Sequence, residues 1–164
     1  MDTLSSIISF LLYVLVAVPV CLVLHELGHA GMVLLVSRQK VTFQFGVRGT
    51  KWEFHFGRLT ILLYLERGTF LGSRYQLEAR AELTKSQILW MILGGPLASL
   101  LLTILCGGVW WATNRIDPWR GLTIINLINF LWTIIPQHYP EWQGAQAGFP
   151  NDGLQIIQLL RSSG

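Results

Sequence analysis

The sequence predicts an all-α membrane protein, with three core transmembrane helices and a small β-hairpin segment between the first and the second. Three observations carry this. First, 52% of the 164 residues are hydrophobic and 13% are charged, with mean hydropathy +0.48; soluble domains carry about 25% charged residues. Second, three stretches, within residues 4–36, 86–114 and 121–139, contain no Lys, Arg or Asp and a single Glu, Glu26. Each approaches the roughly 20 apolar residues that a spanning helix needs. Third, residues 41–65 alternate apolar and polar side chains, a strand pattern. The length suits one domain. With net charge +3 and no basic block interleaved with aromatics, the composition argues against a nucleic-acid partner and for a lipid bilayer.

The first span covers 33 residues, 4–36. As a straight helix it would extend about 50 Å at 1.5 Å per residue, against a hydrocarbon core of about 30 Å. It must tilt, kink near Pro19 or project beyond the core. It opens Met-Asp-Thr without a basic segment, and the apolar run continues beyond 15 residues, so it is expected to be a retained anchor rather than a cleaved signal.

After it, "KVTFQFGVRGTKWEFHFGRLTILLYL" places Val41, Phe43 and Phe45 on one face of a strand. Trp52, Phe54 and Phe56 share a face of the next, with "RGTK" as the turn. The expected hairpin covers 41–65, its last part being the extension over 59–65. Residues 66–85 read as a mixed loop. The second span, 86–114, is followed by a short turn and the third span, 121–139. "PQHYPEWQGAQAGFP", 136–150, reads either as a lid over the site or as a loop at the membrane surface, where Tyr139, Trp142 and Phe149 suit the interface. A short amphipathic helix is expected over 152–162. Nine of the twelve Lys and Arg residues lie between 38 and 85, which places that segment in the cytoplasm by the positive-inside rule. The C-terminal helix then lies on the same side. The expected localisation is a multi-pass integral membrane protein, in the cell membrane.

Cys21 and Cys106 sit in apolar runs with no CxxC spacing, and packing is the simplest role for both.

The chemistry lies in "CLVLHELGHAGMVLLV", residues 21–36. Ionisable side chains at the bilayer centre cost about 2.5–3.5 kcal/mol each on insertion scales, so His25, Glu26 and His29 need compensation. The stretch "HELGH" is HExxH. Residues four apart share a helical face, so His25 and His29 can both reach one metal ion, and Glu26 beside them can take a proton from a water that the ion activates. A chance HExxH in a chain of this length is roughly a one-per-cent event. The ion expected is Zn²⁺, with three protein ligands and an open position. Candidates for the third ligand are Cys21, His55, His138, Glu141 and Asp152. Asp152 lies on the cytoplasmic side with the HELGH end of the first span, next to Gly153, which permits close backbone approach. Asn151 is suited to cap the helix that follows.

"HELGH" ending the first span, "GGPLASL" (94–100) in the second and "PNDGL" (150–154) after the third resemble, in order and spacing, the site-2 protease family of intramembrane zinc metalloproteases. The resemblance covers about residues 10–160. It implies His25, His29 and Asp152 as zinc ligands, Glu26 as catalytic base, and cleavage of membrane-embedded or membrane-proximal peptide bonds. It also makes Gly94, Gly95, Pro96 and Ser99 candidate substrate-binding residues. Where many members carry Asn, Ser99 offers a shorter hydrogen-bonding group. Asn126 is a further candidate for the substrate backbone, and Asn126 and Asn129 are both suited to helix–helix hydrogen bonds.

The expected partner is a membrane-embedded protein or peptide substrate, with a regulatory partner as an open expectation. The rival expectations are a catalytically silent metal-binding scaffold or binding factor of the same fold, and a metal transporter. The complete motif set opposes the scaffold, and the lack of an internal repeat opposes the transporter.

Overall fold

The computed structural model describes residues 3–46, 49–65, 73–77, 82–113, 117–141 and 147–162. Four helices and a four-stranded sheet follow one another as α1 (Thr3–Val36), β1 (Val41–Phe45), β2 (Thr50–Phe56), β3 (Leu59–Leu65), β4 (Ser73–Leu77), α2 (Lys85–Ala112), α3 (Asp117–Ile134) and α4 (Asp152–Arg161). Most of the described chain is helical.

Helix α1 runs unbroken through Pro19. Its C-terminal carbonyls would otherwise lack partners. Arg58 donates to the carbonyls of Leu34 and Ser37, and Gln87 Nε2 donates to Val36 O at 2.7 Å. Gln87 also closes a capping box with Thr84, accepting from Thr84 N at 2.9 Å while Thr84 Oγ1 accepts from Gln87 N at 3.3 Å. One glutamine therefore starts α2 and ties it to the end of α1. In the middle of the pair, Gly28 and Gly94 face each other: a Cβ on either would overlap the other's carbonyl oxygen. Small residues on both sides let the backbones touch.

Segments 10–36 and 85–112 are the two helices among the described residues long and apolar enough to cross a membrane. The third helix departs from expectation. It spans Asp117–Ile134 rather than 121–139, because Asn151 Nδ2 takes up the carbonyls of Trp132 and Ile135 and the chain turns away there. A third spanning helix is not among those that qualify.

The sheet also departs from the expected hairpin. Its order is β2-β3-β1-β4, with β1 parallel to β3 and antiparallel to β4. The hairpin is β2 with β3, closed at Gly57, which takes φ +61°, a conformation glycine adopts without steric cost. Strand β1 does not pair with β2, so "RGTK" is not a hairpin turn; Arg48 within it lies outside the described residues. The physical reason is composition. "LTILLYL" of β3 carries no charge and takes a central position, whereas Lys51, Glu53 and His55 suit β2 to an edge. Residues 73–77, expected within a loop, form the other edge strand. The remainder of that loop, 66–72 and 78–81, and Trp142 lie outside the described residues.

Ala30, Val33, Val41, Leu83, Met91 and Ile92 form one buried cluster where α1, β1 and α2 meet. It fixes the C-terminal half of α1 against α2 beside the HELGH turn.

Candidate metal centre

His25 and His29 of α1 point into the protein. His25 and His29 are almost fully buried, at 4% and 2% exposure, and Asp152 at the first turn of α4 is at 7%. One donor atom from each lies within 4.8 Å of the others. Asp152 Oδ2 is 3.2 Å from His25 Nε2 and 3.5 Å from His29 Nε2. The imidazole centroids are 5.0 Å apart, with the rings near perpendicular. Residues 127 apart in sequence therefore converge on one point.

The opposite ring nitrogens decide how the imidazoles present themselves. His29 Nδ1 lies 2.8 Å from Met91 O. A carbonyl only accepts, so Nδ1 carries the proton and Nε2 keeps its lone pair towards Asp152. The Gly95 N–H also approaches the same Nδ1, at 3.2 Å, and as a donor favours the opposite tautomer; the Met91 contact is the shorter of the two. His25 Nδ1 is 2.9 Å from Ser99 Oγ. Both histidines thus turn Nε2 inward, the arrangement metal-ligating histidines adopt when a second group holds the other nitrogen.

Gly95 shapes the space. A Cβ there would overlap the Nε2 atoms of both His25 and His29, so any side chain would occupy the ligand position. Gly153 has the same significance at α4, where a Cβ would run into the Ile134 carbonyl. Asn151 completes the support. Its Oδ1 accepts from Leu154 N (3.0 Å) and Gln137 N (3.1 Å), while Nδ2 donates to Ile135 O (2.7 Å) and Trp132 O (2.8 Å). The amide caps α4 and pins it to the end of α3, setting Asp152 opposite the imidazoles.

Two neutral imidazoles and a carboxylate, buried together around a space that a methyl group would fill, fit a divalent ion and can hold one. Glu26 is partly exposed and follows His25 directly on α1. It shares a helical face with Val23, three residues before it, and is followed directly by Leu27. Those two line an apolar cavity of about 420 Å³ with Phe43, Phe45, Phe54, Phe56, Ile61 and Leu63 of the sheet. The glutamate thus lies on the side of α1 that bears this cavity, beside the ligand pair.

The other candidate third ligands lie elsewhere. Cys21 is buried and accepts from Asn126 Nδ2 at 3.3 Å. His55 is exposed on β2 and bonded to Thr60. His138 bridges to Pro150 and Glu141 is exposed. Gly94, Gly95, Pro96, Ser99 and Asn126 are all buried. Gly94 is a helix-contact point, Gly95 underlies the imidazoles and Ser99 is bonded to His25. Asn126 Nδ2 also bonds its own helix at Leu122 O (2.8 Å), and its buried Oδ1 has no partner among the described residues. Sequence reasoning did not reach the roles of Met91 O and of Asn151 as a brace on α3; a backbone carbonyl leaves no signal there, whereas an Asn just before an Asp-Gly pair does.

No protein-family model matches the sequence, and no curated protein matches it.

Proposed function

We propose that the chain is a zinc-dependent intramembrane endopeptidase similar to the site-2 proteases, hydrolysing peptide bonds of membrane-embedded or membrane-proximal substrates. In this reading α1, α2 and α3 are three membrane spans in a multi-pass cell-membrane protein, and the site opens towards the cytoplasm. The observation that carries the proposal is the buried convergence of His25, His29 and Asp152, with Glu26 next to His25 on the same helix. HExxH supplies two ligands and a base on adjacent faces of one helix, and an Asp-Gly at the start of another helix supplies the third.

His25, His29 and Asp152 would hold the ion. The chemistry a Zn²⁺ ion supplies when bound is Lewis-acid polarisation of the scissile carbonyl and a lowered pKa for a water molecule. Glu26 takes the proton of the attacking water and delivers it to the leaving amine nitrogen. The bond formed is from water oxygen to carbonyl carbon, and the bond broken is the peptide C–N. A helical substrate shields its carbonyls and unwinds locally before attack. The β2 edge supports an extended segment by offering unpaired backbone groups, and the apolar cavity beside Val23 and Leu27 suits large hydrophobic side chains.

The test is Glu26→Gln in purified protein, with a single-span substrate and fragments read by mass. Cleavage is expected to fall at least about 10²-fold with bound zinc unchanged. Undiminished, chelator-sensitive cleavage would remove Glu26 from its assigned role.

A further inference from the structure

We infer that Ser99, steadied by Asn129, is the positioning residue that sets which nitrogen of His25 carries the proton, and so whether Nε2 offers a lone pair to the metal. The inference rests on the reading of His25, His29 and Asp152 as a metal site.

The two imidazoles are held by different groups. Met91 O holds His29 at 2.8 Å and can only accept, so it favours the tautomer with the proton on Nδ1. His25 Nδ1 meets a hydroxyl instead, Ser99 Oγ at 2.9 Å, and a hydroxyl both donates and accepts. Two proton arrangements are therefore open at Nδ1, the second of them only with a cation between Nε2 and the Asp152 carboxylate. In the first, Asn129 Nδ2 donates to Ser99 Oγ at 3.1 Å, Ser99 O–H donates to His25 Nδ1, and His25 Nε2–H donates to Asp152 Oδ2 at 3.2 Å. Every donor meets an acceptor, and Nε2 has no lone pair for a cation. In the second, the proton sits on Nδ1 and is donated to Ser99 Oγ, which frees the Nε2 lone pair. Only the second arrangement ligates.

Ser99 Oγ is the hydrogen-bond partner of Nδ1, and Ser99 is itself at 0% exposure, so water does not substitute for it. Asn129 reaches the same oxygen from α3 across to α2. It directs one lone pair of the hydroxyl towards itself and holds the oxygen at His25. The relay thus spans α3, α2 and α1 and ends on the metal-facing nitrogen. Removing the acceptor leaves Nδ1–H buried without a partner, which favours the tautomer that cannot bind.

The experiment uses full-length protein in detergent, with Zn²⁺ affinity read by competition with a chromophoric chelator and ligand geometry read from the visible spectrum of Co²⁺-loaded protein. Ser99→Ala is expected to bind Zn²⁺ about 10–100-fold more weakly, the usual effect of losing such a partner, and to shift the Co²⁺ bands. Asn129→Leu should weaken binding less, and Ser99→Thr, which keeps the hydroxyl, should stay near wild type. Circular dichroism and metal-free unfolding check that each variant folds. Wild-type affinity and spectrum in Ser99→Ala would overturn the inference, as would a folded Ser99→Thr that binds no better than Ser99→Ala. A wild-type chain that binds no Zn²⁺ would instead remove the metal site itself.

Discussion

A single methyl group at position 95 would sit where the two Nε2 atoms converge. Gly95→Ala therefore separates ligand geometry from ligand identity, because all donors remain and only the space between them is lost. The expected outcome is a folded protein with less than about a tenth of wild-type zinc occupancy, checked by metal analysis after desalting alongside circular dichroism. The expectation follows from close packing, since a core overlap below van der Waals distance forces side chains off their rotamers. Gly31, further along α1, has open space within 4 Å of where a Cβ would stand, so Gly31→Ala should leave zinc occupancy unchanged and serves as the control. The HELGH residues were legible in the sequence because two imidazoles and a carboxylate in a Leu–Val run have no apolar explanation. Position 95 was legible there only as a candidate substrate-binding glycine, since the atoms it accommodates come from another helix 66 residues away.

At the level of elements, α4 owes its placement to one side chain. Asn151 fills all of its hydrogen-bonding capacity with Leu154 N, Gln137 N, Ile135 O and Trp132 O. Loss of a helix cap costs about 1 kcal/mol, and further buried groups left without partners add about 1–3 kcal/mol each. Asn151→Ala should therefore destabilise by about 2–4 kcal/mol and weaken zinc binding, although no ligand has changed. Thermal unfolding with and without zinc measures both effects. The helix–helix contact is equally specific: Gly28→Val is expected to push α1 from α2 and break the His29–Met91 contact, lowering zinc affinity without altering the HExxH ligands, as chelator competition would show. The sheet marks the limit of local reading. Alternation over 41–45 and 50–65 revealed strands, but their partners are decided by which strand bears charges. The parallel β1–β3 pairing joins segments separated by an intervening strand, and no turn motif announces such a pairing. The strand at 73–77 was missed because "SRYQL" is short and polar.

For the molecule as a whole, the surface is the informative part. Leu11, Leu15 and Val16 on α1 are 59–70% exposed, and Leu101, Ile104 and Trp111 on α2 are 56–72% exposed, so the two helices long enough to cross a membrane present large apolar side chains outward. With α1 34 residues long, lipid around these helices is the consistent environment. The chain is therefore predicted to remain in the membrane fraction after alkaline carbonate extraction and to be released by detergent; release by carbonate would contradict the three-span reading. The same burial logic explains why the polar groups gather where α1, α2 and α4 meet, sheltered from the apolar exterior. The central claim is that a metal ion binds there, and it is tested most directly by counting metal. After Zn²⁺ reconstitution and desalting, the wild-type chain should carry one ion, and His25→Ala, His29→Ala and Asp152→Ala should each carry close to none. An empty wild-type protein, or full occupancy in the Asp152→Ala variant, would contradict the account.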